Sequence, residues 1–80
     1  MRLHAEVALY PLKTNNASQV INDSINTLQN QRVTYNVGSM DTHIQGNDEE
    51  VWNSLRNLFD EAQNSGGEVS MVVTITNAAD

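Results

Sequence analysis

The sequence predicts an α+β fold whose elements follow one another in the order βαββαβ. Two observations indicate this order. Apolar residues alternate in four segments, as they do in strands, and recur at three- and four-residue spacing in two segments between them, as they do in amphipathic helices. The chain has 80 residues, which is enough for one domain and too few for two. We therefore expect a single domain over residues 1–80.

The first strand and the first helix are predicted in the N-terminal third of the chain. Residues Leu3–Leu12 alternate, and Pro11 ends regular pairing because proline has no backbone N–H to donate. Ser18 or Asn16 is expected to cap the helix that follows. Its apolar stripe consists of Ala17, Val20, Ile21, Ser24, Ile25 and Leu28.

Two further strands are predicted in the middle of the chain. Arg32–Met40 is the second and Thr42–Gly46 the third, with Asp41 as a tight connection between them. Gly38 is expected to mark a bulge or a close approach of another group.

The last helix and strand complete the pattern. Asn47 and Glu50 have the spacing of a capping box, and Gly66-Gly67 is expected to end the helix. The apolar stripe of this helix, which we expect in the core, consists of Val51, Trp52, Leu55, Leu58, Phe59 and Ala62. The indole N–H of Trp52 needs a partner, so the alternative for Trp52 is a place at the edge of the domain or at an interface. Glu68–Thr76 is the predicted last strand, and Asn77–Asp80 a loose tail.

This element order predicts the ferredoxin-like arrangement. Both helices must cover the apolar face of one sheet, and right-handed crossovers then give a four-stranded antiparallel sheet of order 4-1-3-2 with two helices on one face. The other face is left open and forms one patch, where we expect the function to lie. It carries His4, Glu6, Ala8, Tyr10, His43, Gln45, Ser70, Val72, Thr74 and Thr76.

Charge and composition exclude several classes of function. The net charge is −6, and the four basic residues are scattered, which argues against nucleic acid and anionic membranes as partners. The chain has no cysteine, so disulfides and thiolate chemistry are excluded. No apolar run has the form of a signal peptide or a membrane span, and the cytoplasm is the expected compartment. A core this thin favours oligomerisation.

Three segments resemble the small thiamine-binding proteins of the YkoF-like superfamily. They are Ala5–Leu12, where that family has a strand running into Pro-Leu; Tyr35–Gly46, similar to a Tyr…Met-x-Thr-x-Ile-Glu-Gly pattern; and the closing strand Val72–Ile75. The resemblance implies binding of thiamine or its hydroxymethylpyrimidine moiety, and assembly into dimers or tetramers through the sheets. Lys13 stands where the family often has Gly. Gln45 stands where it often has Glu, which removes a carboxylate that could balance a cation.

The candidate ligand-binding residues follow from the open face and from this resemblance. Glu6 could accept hydrogen bonds from an aminopyrimidine or balance a thiazolium charge, although a solvated or interface-paired carboxylate would look the same in sequence. Ser39, Thr42 and Thr74 offer hydroxyls, Thr74 being equally well explained by the preference of threonine for strands. Tyr10 and Met40 could form apolar walls for a flat ring.

His43 completes the predicted set of ligand-binding residues. With His4 and Glu6 on the same face it offers plausible ligands for a divalent ion. Ordinary strand-surface residues would look the same, and the spacing matches no metal motif, so no metal site is expected.

No feature of the sequence indicates catalysis. There is no evident nucleophile–base pair and no glycine-rich phosphate loop, so we expect a binding protein without enzymatic activity or cofactor. The alternative is an interaction module that binds no small molecule and self-associates through its sheet.

Overall fold

All the predicted elements are present in the computed structural model, which describes residues 1–78. The strands are β1 (Arg2–Pro11), β2 (Thr34–Val37), β3 (Thr42–Asn47) and β4 (Val69–Thr76), and the helices are α1 (Ala17–Asn26) and α2 (Asp48–Gly66). One turn of 3₁₀ helix, Thr27–Asn30, follows α1. The end of the predicted tail and of the predicted domain, residues 79 and 80, lies outside the described residues. No helix within residues 1–78 combines the length and apolarity needed to cross a membrane.

The sheet has the predicted topology. Its strand order is β2-β3-β1-β4, which is 4-1-3-2 read from the other edge, and all three pairings are antiparallel. In this register Glu6 of β1 lies opposite His43 of β3 on one side and opposite Thr74 of β4 on the other. The pairing therefore places three of the candidate residues in one row across the open face.

The core lies between the sheet and the helices. The period of two in β1 turns Leu3, Ala5 and Val7 toward the helices, while the period of 3.6 in α2 turns a stripe toward the sheet. Ser24 and Ser54 are also fully buried, but each hydroxyl donates to the carbonyl oxygen four residues earlier, at 2.9 and 2.8 Å. The buried apolar cluster consists of Leu3, Ala5, Val7, Leu28, Ile44, Val51, Leu55 and Leu58.

The predicted second strand is too long. β2 covers only residues 34–37, because the Gly38 backbone N–H donates to the Asp41 carbonyl oxygen at 2.7 Å and turns the chain through residues 38–41. Gly38 does mark a close approach: a Cβ atom there would lie 3.1 Å from that same oxygen. Ser39 and Met40 therefore belong to the β2–β3 loop.

The predicted capping interactions do not form. The Asn47 side chain makes no capping hydrogen bond, and the Asp48 carboxylate accepts from the Glu49 N–H at 2.8 Å. At α1 the Asn16 side chain also makes no capping bond, and Ser18 lies inside the helix. The capping-box prediction is thus wrong, although the acidic first turn of α2 still complements the helix dipole.

Trp52 lies at the edge of the domain, which is the alternative that its indole N–H left open, and not in the core, where the apolar stripe of α2 placed it. Its side chain is 55% exposed, and Phe59, about two turns further along the helix, is half-buried. Both lie where α2 passes over β4, at the edge of the sheet. The stripe on α2 is therefore wider than the surface that the sheet covers.

Candidate functional site

Two concave surfaces carry most of the predicted site residues, and the open face of the sheet forms one of them. This surface has a volume of about 610 Å³, and Glu6, His43 and Thr74 lie along it together with His4. The register explains their proximity, because Glu6 is the pairing partner of both other candidates. Glu6 and His43 are each about half exposed, so their polar atoms face solvent.

Two carboxylates converge on one imidazole at this face. His43 Nε2 lies 3.3 Å from Asp41 Oδ1 and 3.9 Å from Glu6 Oε1. Asp41 was expected only to form a tight connection. It lies in the β2–β3 loop directly before β3, so the alternation of side chains along a strand does not place its carboxylate beside His43. His4 does not join this cluster, because two residues along β1 from Glu6 correspond to a rise of roughly 7 Å.

The second concave surface lies on the opposite side of the sheet, between α1 and the β2–β3 loop. This α1 cavity has a volume of about 210 Å³. The loop residues Ser39 and Met40 line it, together with Thr42 at the start of β3. Asn22 and Asp41 also line it. Its apolar wall consists of Val7, Ala8, Leu9, Ile21, Ile25, Val37 and Leu58.

Thr42 faces this cavity because successive side chains of a strand point to opposite faces of the sheet. Its side chain is buried, whereas that of His43 is exposed. The Thr42 hydroxyl has no hydrogen-bond partner within residues 1–78. Every side-chain nitrogen or oxygen that is fully buried in this part of the chain does have a partner, so the Thr42 hydroxyl is not fully buried. The Thr42 hydroxyl therefore opens onto the cavity and is free to bond a ligand.

The seven predicted residues are thus not brought together at one place. Glu6, His43 and Thr74 lie on the open face, while Ser39, Met40 and Thr42 lie around the α1 cavity. Tyr10 lines neither surface, although it lies on the open face and is 51% exposed. The sequence did not reveal the α1 cavity, because its wall is assembled from five separate elements of the chain.

These features define a small α+β domain of the ferredoxin-like βαββαβ class whose predicted site residues lie on both sides of its sheet. The chain belongs to the YKOF-related family, whose model matches residues 2–79. The resemblance seen in the sequence is therefore confirmed. No functionally curated protein shows significant similarity to the chain.

Solved structures share the fold over almost the whole chain. A protein from Streptococcus pneumoniae is 25% identical, with a TM-score of 0.91 over 99% of this chain and 89% of its own. A domain of unknown function from Bacillus cereus is 21% identical, with a TM-score of 0.86 over 98% of this chain and 77% of its own. A Thermotoga maritima protein with a proposed role in thiamine biosynthesis or salvage is 16% identical, with a TM-score of 0.84 over 98% and 85%. The two less similar structures demonstrate the fold alone.

Proposed function

We propose that this protein binds thiamine or its hydroxymethylpyrimidine moiety without catalysing a reaction, as a cytoplasmic carrier or sensor. The observation that carries the proposal is the α1 cavity, which combines an apolar wall with a few convergent polar groups. This combination is typical of sites for small molecules. Membership of the YKOF-related family and the proposed role of the Thermotoga maritima relative support a thiamine-related ligand.

The size of the cavity favours one ring over the whole vitamin. Its volume of about 210 Å³ is below the range of roughly 300–1,000 Å³ that is typical for drug-sized ligands. A single substituted pyrimidine would occupy it, with the remainder of thiamine directed toward solvent past the exposed Met40. We therefore expect the pyrimidine moiety to supply most of the affinity.

The lining groups match the chemistry of an aminopyrimidine. The Thr42 and Ser39 hydroxyls can donate to or accept from ring nitrogens. The Asn22 side-chain carbonyl can accept from the exocyclic amino group. Met40 at the rim supplies a polarisable thioether against the ring face. Glu6, His43, Thr74 and Tyr10 lie on the other side of the sheet, so a ligand in this cavity does not need them.

The test is a titration of purified protein with thiamine, thiamine phosphates and hydroxymethylpyrimidine. Calorimetry and the melting temperature report whether each compound binds. A ligand that binds only the native state must raise the melting temperature in a dose-dependent way. No rise with any of these compounds, at concentrations well above micromolar, would refute the proposal.

A matched pair of threonine variants locates the site. Thr42→Val keeps the shape of the side chain and removes the hydroxyl that faces the α1 cavity. The free energy of ligand binding should therefore weaken by about 0.5–1.5 kcal/mol, which is a loss of affinity of about two- to tenfold. Thr74→Val makes the same change on the open face and should leave the affinity unchanged. If Thr74→Val weakens binding and Thr42→Val does not, the ligand lies on the open face with Glu6 and His43.

Self-association through the open face is a second candidate function, supported by its exposed apolar side chains. Val72 is 58% exposed and lies on this face near Tyr10. We propose a homodimer or homotetramer in which another copy covers them. Light scattering should then show that Val72→Asp shifts the protein toward monomer, whereas Leu12→Asp, outside the sheet, does not. A monomeric unmodified protein would exclude this assembly.

A further inference from the structure

We propose that the open face of the sheet holds a divalent transition-metal ion between Glu6, Asp41 and His43. Asp41 also lines the α1 cavity, but Glu6 and His43 do not, and the metal site does not depend on a ligand in that cavity. It also departs from the expectation drawn from the sequence, which considered His4 in place of Asp41 and found no metal motif. The tertiary structure brings Asp41 to Glu6 and His43 as a third ligand.

The three ligand atoms are placed at coordination distances. All lie within 4.8 Å of one another, and the two distances from His43 Nε2 are 3.3 Å to Asp41 and 3.9 Å to Glu6. A point equidistant from the three atoms lies about 2.4 Å or less from each, whereas bonds from zinc to nitrogen and oxygen are about 2.0–2.2 Å long. Small rotations of the exposed side chains of Glu6 and His43 close this difference.

The backbone holds the ligands in place before any ion binds. Glu6 and His43 are direct partners across the β1–β3 ladder, so their separation is fixed by the pairing of the strands. The backbone of Asp41 is held by a hydrogen bond in which the Gly38 N–H donates to the Asp41 carbonyl oxygen. The site therefore combines residues from two strands and a tight loop, and needs no rearrangement of the backbone.

The charges at this place are not balanced by the protein. Two carboxylates face each other across one imidazole, and neither is paired with lysine or arginine. Within residues 1–78 the only ion pair that a lysine or arginine forms is the one between Lys13 and Glu68, at 3.1 Å. A divalent cation among the three side chains would offset both carboxylates at once, which is an interaction independent of the coordination geometry.

The donor set indicates the class of metal. One imidazole nitrogen with two carboxylate oxygens suits zinc, manganese or iron, while magnesium and calcium prefer oxygen ligands alone. Three protein ligands leave further coordination positions, which on this exposed face are available to water. We therefore expect one zinc ion per chain, bound more tightly than magnesium or calcium.

Calorimetry with the metal-stripped protein tests the proposal. We expect saturable binding of zinc with one ion per chain, and no comparable binding of magnesium or calcium. His43→Ala should weaken zinc binding at least tenfold, and Glu6→Gln should weaken it as well. His4→Ala is the matched control, because His4 is the other histidine of the chain and lies on the same face without joining the cluster; this variant should bind as the unmodified protein does.

A second measurement reports the position of the ion directly. Manganese, which is paramagnetic, should broaden the imidazole NMR signals of His43 more strongly than those of His4. The proposal is overturned if zinc does not bind, if His43→Ala binds zinc as well as the unmodified protein, or if His4→Ala loses as much affinity as His43→Ala. Neither Glu6 nor His43 lines the α1 cavity, so this outcome and the thiamine titration remain distinguishable.

Discussion

Leu58 is the residue at which the packing of this small core can be tested most directly. It lies on α2, is 1% exposed, and belongs both to the core cluster and to the wall of the α1 cavity. Truncation to alanine removes buried apolar atoms and leaves a cavity, which costs about 2.7–5.0 kcal/mol when the surroundings relax only partly. A domain of this length has a stability of about 4–12 kcal/mol. Leu58→Ala should therefore remove at least about a quarter of the total stability.

Urea denaturation followed by circular dichroism measures this loss as a lower midpoint with an unchanged slope. The melting temperature should fall by about 10 °C or more, since each kcal/mol corresponds to about 4–8 °C in a domain of this size. Leu12→Ala is the control: it makes the same chemical change at a side chain that is 43% exposed. A loss below about 1 kcal/mol for Leu58→Ala, or equal losses for the two variants, would refute the placement of Leu58 in the core.

Two backbone positions give further predictions. Lys13 has a φ of 58°, which costs a residue with a side chain roughly 1–2 kcal/mol, and its exposed ion pair with Glu68 contributes little to stability. Lys13→Gly should therefore leave the melting temperature unchanged or raise it. A fall of several degrees would contradict this. A Cβ atom at Gly46 would lie 3.1 Å from Val33 Cγ1 and 3.4 Å from the Arg32 carbonyl oxygen, so Gly46→Ala should cost about 1–3 kcal/mol in urea denaturation. A Gly46→Ala variant of unchanged stability would exclude the close packing of β3 against Val33. At Gly67 an added Cβ atom meets no atom within 4 Å, but φ is 78°, so the cost of Gly67→Ala comes from backbone strain alone.

Lys13 also explains one departure from the pattern that this chain resembles. The family often has glycine after Pro-Leu, and the structure places Lys13 in the left-handed region that glycine adopts without strain. A backbone with positive φ favours glycine at this position whether or not a ligand contacts it.

The fold was predictable because it rests on local periodicity and on a few rules of chain connection. Alternation in β1 and β4 and the 3.6-residue period of α2 identify the elements, and right-handed crossovers leave one sheet order for them. The row of Glu6, His43 and Thr74 on the open face follows from that order, since strand pairing converts positions in the chain into neighbours in space.

The places where prediction failed depend on how elements meet. The side of the sheet on which Ser39 and Met40 lie is decided by the four-residue turn after β2. The exposure of Trp52 is decided by where α2 crosses the edge strand β4. Neither quantity is encoded in a period of two or 3.6 residues. Periodicity states which face of an element a side chain occupies, whereas the depth of a cavity and the convergence of Asp41 on His43 are set by the distances between elements after they pack.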